Sequence, residues 1–370
     1  MTDIGSGITG KLARLIGVGL ALATLALVGC APDHPIVMEC ADAQGIHAIC
    51  GMQNPEDLAL LPDGRTVVVS QFGLMDGSQA GNLAFFDLDR ETVEIAYAGG
   101  TTAARLPTAG WGDPECPGPP DADFSPHGID LAPRPDGRLR LLVVNHGGRE
   151  SIEFFEVTAT PAGPELSWRG CVIPPGEAYL NDVVSLPDGG LLATHMFPRG
   201  GEALGLLRGA LGMDTGHVLE WRAGGRWREV AGSEAPFPNG IELSEDGRSI
   251  YLNAYMADEV RRIDRESGEV LGVARVSSPD NSSWGPDGRL LVASHLGGLR
   301  DQTACYGLVE GACPMRFRIV AVDPESMATE TLIEHAGPPM GAGTIALDLG
   351  DELLIGTFAG DRMIRVPRRP

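Results

Sequence analysis

Along this chain a polar residue, a short apolar run, a tight turn and a second β-rich run recur six times in that order. The turns are Asp63-Gly64, Asp136-Gly137, Asp188-Gly189, Asp246-Gly247 and Asp287-Gly288, with a weaker sixth at Leu349-Gly350-Asp351. The runs after them include Thr66-Val67-Val68-Val69, Leu141-Leu142-Val143-Val144, Leu191-Leu192-Ala193 and Leu353-Leu354-Ile355. Asp-Gly between runs of β-formers is the strongest short hairpin signal. Long helical periodicities are nearly absent. Repetition at about 40 to 70 residues predicts a radial array of such units, a propeller. Six turns predict six blades, and the weakness of the sixth leaves five or seven open. The last run, from Leu353 to Val366, is placed to close the ring with the first.

What precedes each turn carries the chemistry. Glu56, Asn181, Asn239 and Asp280 each stand eight residues before a turn glycine, and Asn281 follows Asp280 directly. His127 lies ten before its glycine and Thr344 six before. If each repeat is a blade, equivalent positions meet on one axis. Carboxylate and amide oxygens from several blades would then converge, and a mixed all-oxygen set suits calcium. Any one of these asparagines alone reads as a turn or bulge residue bonding its own backbone. Their shared register is what sets the group apart.

Two stretches interrupt the repeats. Residues 106–123 are rich in Pro and Gly, as in a loop. Residues 202–213 have helical character, with Leu204, Leu207 and Leu211 on one face. Such an insert is either packing filler or a lid over the site. Repeats otherwise run through 51–368 without a break in composition, so one domain is expected there. The 51 glycines and 28 prolines are what a turn-rich all-β fold needs.

Residues 1–29 read as a targeting segment: Lys11 and Arg14, then an apolar stretch from Leu15 to Val28 too short to span a bilayer comfortably. It ends in Leu27-Val28-Gly29-Cys30, the pattern of a bacterial lipobox, which makes Cys30 a lipidation site. A lipid there would anchor the protein to a membrane without spanning it, with 30–50 as a tether. The expected location is the bacterial cell envelope. The other six cysteines, Cys40, Cys50, Cys116, Cys171, Cys305 and Cys313, are even in number and fit an oxidising compartment. They allow 15 pairings. Local economy favours Cys305–Cys313 and Cys40–Cys50, leaving Cys116–Cys171. The formal charge is −22. Residues 1–29 contribute +1, from Lys11, Arg14 and Asp3, so the remainder carries −23. That excess argues against nucleic acid and anionic membrane surfaces as partners.

Several segments, in order, resemble the paraoxonase/arylesterase family. They are Asn54-Pro55-Glu56-Asp57-Leu58, Pro126-His127-Gly128-Ile129, Val143-Val144-Asn145-His146, Leu180-Asn181-Asp182-Val183, Phe237-Pro238-Asn239-Gly240-Ile241, Asp280-Asn281 and Leu353-Leu354-Ile355-Gly356-Thr357. The resemblance spans about residues 54–366. It implies an all-β six-bladed propeller with a small helical insert over the channel mouth and two calcium ions in the channel. The catalytic ion would be held by Glu56, Asn181, Asn239, Asp280 and Asn281, the set already found from register. A structural ion would use Asp57, Asp182 and the carbonyl of Ile129. His127 matches the proposed general base and His146 its partner. Phe237, His295 and Thr344 match positions near the substrate.

The activity so implied is calcium-dependent hydrolysis of small lactones or aryl esters, by a monomer. Two alternatives remain: a gluconolactonase-like sugar lactonase, and a non-catalytic propeller that binds a ligand or protein. The chain also departs from the family. No cysteine follows Cys313 to make the family's ring-closing disulfide, and Thr194-His195-Met196-Phe197 stands where the family has Asn-Asp-His.

Overall fold

The computed structural model describes residues 34–100, 107–224 and 226–368. The targeting segment 1–29 and Cys30 lie outside the described residues.

Each Asp-Gly turn has a backbone reason. The six turn glycines, Gly64, Gly137, Gly189, Gly247, Gly288 and Gly350, have φ between 66° and 95°. At all of these except Gly247 a Cβ would meet nothing, so the position needs glycine for its conformation and not for space. A nearby aspartate accepts a hydrogen bond from the backbone N–H two residues on, as Asp63 does from Arg65 and Asp287 from Arg289. The weak sixth turn is built the same way, with Asp348 accepting from Gly350.

These hairpins belong to six four-stranded antiparallel sheets. The innermost strands are Pro55–Leu60, Pro126–Pro133, Leu180–Ser185, Pro238–Leu243, Pro279–Trp284 and Gly343–Asp348, which begin blades 1 to 6. The fold is therefore a six-bladed β-propeller. The second strands are buried nearly throughout, with an apolar run at the centre of each, because neighbouring blades cover both their faces. In blade 1, Val67 and Val69 pack into one inter-blade core and Val68 into the next. In blade 2, Leu142 and Val144 likewise separate from Leu141 and Val143.

The ring closes within blade 6. Its outermost strand is His47–Cys50, antiparallel to Arg362–Pro367. Four residues of the stretch expected as a tether thus belong to the propeller. In place of a ring-closing disulfide, the fully buried Arg362 donates to the carbonyls of Val37, Glu39 and Pro339. The three disulfides are Cys40–Cys50, Cys116–Cys171 and Cys305–Cys313, the pairing that local economy favoured.

Among the described residues two α-helices interrupt the sheets. The expected one spans Glu202–Ala210 and joins the second and third strands of blade 3. It packs in the opposite sense from its pattern. Leu204, Leu207 and Leu211 are 62%, 59% and 69% exposed, while Gly205 and Gly209 are buried. Phe197 lies over Gly205 and the Met256 sulfur over Gly209, each close enough to collide with an added Cβ. A second helix, Leu299–Tyr306 in blade 5, was not expected; eight residues with little apolar periodicity give no helical signal.

Candidate active site

Every candidate residue fixed by register occupies the same place. Glu56, His127, Asn181, Asn239, Asp280 and Thr344 are each the second residue of an innermost strand. The offsets of ten and six in blades 2 and 6 reflect hairpins of different length, not different positions. At that point all six innermost strands shift register against their neighbours: Pro55/Asp57, Pro126/Ile129, Leu180/Val183, Pro238/Ile241, Pro279/Ser282 and Gly343/Ile345. A bulge re-aims the side chains around it. Just upstream, Asn54, Phe237, Ser278 and Ala342 have φ of 46°, 58°, 36° and 51°. Left-handed backbone at non-glycine residues is costly, and here it recurs in four blades beside the channel.

The side chains meet as follows. Asn281 Nδ2 donates to Glu56 Oε1 at 2.8 Å, and His127 Nε2 lies 3.5 Å from the same oxygen. The Asn239 side chain stands close enough to Asp280 to favour its charged form. Thr344, fully buried, donates its hydroxyl to the Glu56 carbonyl at 2.7 Å, joining blade 6 to blade 1. Four buried oxygens in this set have no partner: Glu56 Oε2, Asn181 Oδ1, Asn239 Oδ1 and Asn281 Oδ1. An unpartnered buried acceptor costs about 1–3 kcal/mol, so four of them on one axis need a shared donor or cation. Oxygen-only chemistry, amide and carboxylate mixed, fits calcium. Among the described residues no three His, Cys, Asp or Glu side chains group as a metal site; the convergence here depends on amide oxygens.

The carboxyl groups carry the same sign of strain. Burial pushes Asp57 well above the usual carboxylate range, with Asp182 and Glu56 adding repulsion. Burial also pushes Asp182 up to about 7 and Asp280 well up, with Glu56 again repelling it. Asp57 accepts from the Ile129 N–H at 2.7 Å and Asp182 from the Ile241 N–H at 2.9 Å, each reaching across to the next blade. Gly128 is what lets blade 3 come near, since a Cβ there would sit 2.4 Å from Asp182 Oδ1. Asp57, Ile129 and Asp182 line one cavity of about 280 Å³, together with Asp130 and Glu242. The residues expected to hold a structural ion are thus brought together along one cavity whose lining does not include Glu56.

Two histidines beside the channel differ in what they can do. His295 Nε2 faces the Gly343 carbonyl at 3.1 Å and Asp280 Oδ2 at 3.4 Å, both acceptors, so it carries the proton. Nδ1 then accepts from the Tyr255 hydroxyl at 3.0 Å. Both nitrogens are committed, and burial holds the ring down to about 4. His127 is different. Its Nδ1 meets His146 Nε2 at 2.8 Å, and its Nε2 faces the channel beside Glu56. Burial is the largest single influence and lowers its pKa, but the charge and contact of Glu56, with the more distant Asp182 and Glu150 charges, together outweigh it and the net direction is upward. Burial lowers that of His146.

Sequence reading missed Glu150, which meets His146 Nδ1 at 3.0 Å, and Arg199, 3.3 Å from Glu150. Glu150 sits in a short connection with no repeat to mark it. It also missed an aromatic arc around the mouth. Phe72, His146, Tyr255 and Phe358 each follow the second strand of their blade directly. Aligning the repeats on the second strand would have found them. Ring contacts run from Phe72 to His146, on to Tyr179 and Phe197, then through Phe237 and Tyr255 to His295, Phe358 and Tyr306, with centroids 4.6–5.9 Å apart. Phe237 and His295 are thus placed at the mouth, and Phe197 of the departing Thr194–Phe197 stretch joins them.

A six-bladed propeller with an oxygen-lined axis and a histidine pair at its mouth defines a class of channel-site proteins. Comparison with known proteins narrows the class. Residues 39–363 match the family described as Arylesterase, and the chain belongs to that family. Serum paraoxonase/arylesterase 1 of Rattus norvegicus is 24% identical over 332 residues, covering 86% of each chain. The Homo sapiens protein of the same name is 23% identical over 315 residues, covering 82% of each. Among solved structures, a luciferin-regenerating enzyme superposes with a TM-score of 0.52 at 15% identity, covering 87% of this chain and 95% of that one.

Proposed function

We propose that this protein is a calcium-dependent hydrolase of aryl esters and lactones, acting on small molecules as a monomer. The four unpartnered buried oxygens of Glu56, Asn181, Asn239 and Asn281, supplied from equivalent ends of the innermost strands of four blades with Glu56 beside the His127 ring, carry the reading. Membership of the arylesterase family supports the hydrolase. Those four residues and Asp280 would hold the catalytic ion; Asp57, Asp182 and the Ile129 carbonyl would hold a second, structural one. Bound at the first site, calcium supplies charge to polarise a substrate carbonyl and stabilise the oxyanion that develops. His127 Nε2 takes a proton from water as the oxygen attacks the carbonyl carbon, and later returns it to the leaving alkoxide or phenoxide.

The aromatic arc favours a flat or apolar substrate over a polyhydroxylated sugar lactone. Sugar hydroxyls pressed against Phe72, Phe197, Phe237 and Phe358 would lose their water partners without replacement. Three disulfides support an exported protein, and the lipobox supports anchoring at Cys30 in the bacterial cell envelope. Among the described residues no helix is long and apolar enough to cross a membrane.

The deciding experiment measures turnover of phenyl acetate, a γ-lactone and gluconolactone with chelator and with added calcium. Calcium-restored turnover of the first two is expected. Turnover of none of the three would leave the binding propeller as the better account; turnover of gluconolactone alone would favour the sugar lactonase.

A further inference from the structure

The contact between His127 and His146 does not by itself say which nitrogen of either ring holds a proton, and only one arrangement makes His127 a base toward the channel. The answer lies one residue further out. Glu150 Oε1 accepts from the Leu180 backbone N–H at 2.7 Å. Its Oε2 faces Arg199 Nη1 at 3.3 Å. Donors approach both oxygens, so this carboxylate presents acceptors only. His146 Nδ1, 3.1 Å from Oε1 and 3.0 Å from Oε2, must therefore donate to the carboxylate. In a neutral ring His146 Nε2 is then an acceptor, and it faces His127 Nδ1 at 2.8 Å. The proton between them belongs to His127 Nδ1. In the neutral state His127 Nε2 is left with its lone pair, aimed at the channel with Glu56 Oε1 3.5 Å away.

We infer that Glu150, paired with Arg199, is a positioning residue that fixes the tautomers of both histidines and so leaves His127 Nε2 free to accept a proton. This rests on the hydrolase reading above. When His127 Nε2 takes a proton from the attacking water, the water oxygen bonds to the carbonyl carbon. The imidazolium so formed already donates through Nδ1 to His146, whose Nδ1–H points at the Glu150 carboxylate. No other proton has to move. Arg199 also donates to the His146 carbonyl at 2.8 Å, and its own N–H bonds the Glu177 carbonyl at 2.7 Å. It stands three residues before the helix Glu202–Ala210, so the insert and the histidine pair share one anchoring contact.

The test separates position from mere support. In Glu150→Gln, one amide atom must face the buried Leu180 N–H. An oxygen there keeps the bond, while an NH2 there would set donor against donor. The NH2 therefore takes the Oε2 position and donates to His146 Nδ1, 3.0 Å away, since a ring N–H kept for the amide oxygen at 3.1 Å would face that NH2 donor to donor; only the half-exposed Arg199 contact is lost. That reverses every proton in the chain and caps His127 Nε2. Glu150→Ala removes the bias without reversing it. The isosteric variant should thus be the more damaged one. With phenyl acetate, kcat of Glu150→Gln should fall roughly 100-fold or more, in the range a general base supplies, with KM within about threefold. Glu150→Ala should retain about tenfold more kcat than the Gln variant.

Long-range ¹H–¹⁵N spectra of the histidine rings give a readout independent of turnover. Wild-type His127, assigned by its loss in His127→Gln, should show a protonated Nδ1 and bare Nε2, and the pattern should invert in Glu150→Gln. A wild-type His127 protonated at Nε2, or a Gln variant as active as the Ala variant with unshifted ring nitrogens, overturns the inference. If the Gln variant does not fold, the wild-type spectrum decides alone. Absence of hydrolysis in the wild type would sink the hydrolase reading and leave the tautomer assignment to the spectra.

Discussion

At the scale of the residue, what matters is which atoms have no alternative partner. Asn239 stands beside Asp280, and its Oδ1 is left without a partner. Asn239→Ala and Asp280→Ala should therefore lose activity more completely than His127→Gln. The first two remove oxygens from the proposed cation cage, while a general base contributes about 10²–10⁴-fold. His127→Gln should keep relatively more aryl esterase than lactonase activity, because a phenoxide leaves without help and an alkoxide does not. Values of kcat/KM for one ester and one lactone, with calcium binding measured separately, check both statements. A His127→Gln protein that binds calcium and matches wild type on both substrates would remove His127 from the chemistry.

Asp182 gives a pH dependence with a definite sign. Its carboxyl ordinarily titrates near 3.8 and is pushed up to about 7 by burial in the folded chain. The folded state binds that proton more tightly than the unfolded state. Its contribution to stability is therefore fully present below about 4 and is lost as pH rises through about 7. Chelated protein should melt at progressively lower temperature from pH 4 to 7. A cation beside the carboxylate reverses the preference, so added calcium should raise the melting point most at pH 7. Equal melting curves with and without calcium at pH 7 would count against both ion sites.

At the scale of the element, the helix Glu202–Ala210 shows how far a pattern can mislead. Its leucines repeat at helical spacing, and that spacing did locate the helix. The packed face is set instead by the glycines, because Phe197 and Met256 sit where their Cβ atoms would be. Replacing Leu204, Leu207 and Leu211 by Gln should shift stability by less than about 0.5 kcal/mol each, as for other exposed sites. Gly205→Ala gains up to about 1 kcal/mol in helix propensity. Its Cβ, however, would stand 2.7 Å from the Cβ and Cγ of Phe197, neither the mobile end of a chain. A net loss of stability is expected. Thermal melting of the four variants orders them, and a stabilised Gly205→Ala would refute the packing described.

At the scale of the whole molecule, the ring is closed by hydrogen bonds and not by a covalent clasp. Three carbonyls depend on Arg362. Arg362→Ala strands buried acceptors and should cost on the order of 3 kcal/mol or more. Chemical denaturation should show an earlier midpoint, and proteolysis should cut first within residues 34–50. A wild-type midpoint would show that the strand His47–Cys50, with the Cys40–Cys50 bond, holds the ring unaided.

How much of this was written along the chain differs by kind. The blades were legible, because a hairpin is a local object: Asp-Gly needs only its own φ angles, and a doubly covered strand needs only an unbroken apolar run. The axial residues were legible through the same turns, since a fixed count back from a turn returns the same place in every blade. Local pairing economy also reached the three disulfides. What the sequence could not express is anything that depends on two blades meeting. The close approach at Gly128, the donors that meet Glu150 from Leu180 and Arg199, and the joining of the aromatic rings into one arc are contacts between segments far apart in the chain. So is the inverted helix, whose packed face was decided by Phe197 and Met256 and not by its own leucines. Periodicity reports what a segment offers to bury. Only the assembled ring determines which neighbour stands there to receive it, and hence which nitrogen, of the histidines the sequence supplied, is left facing the channel.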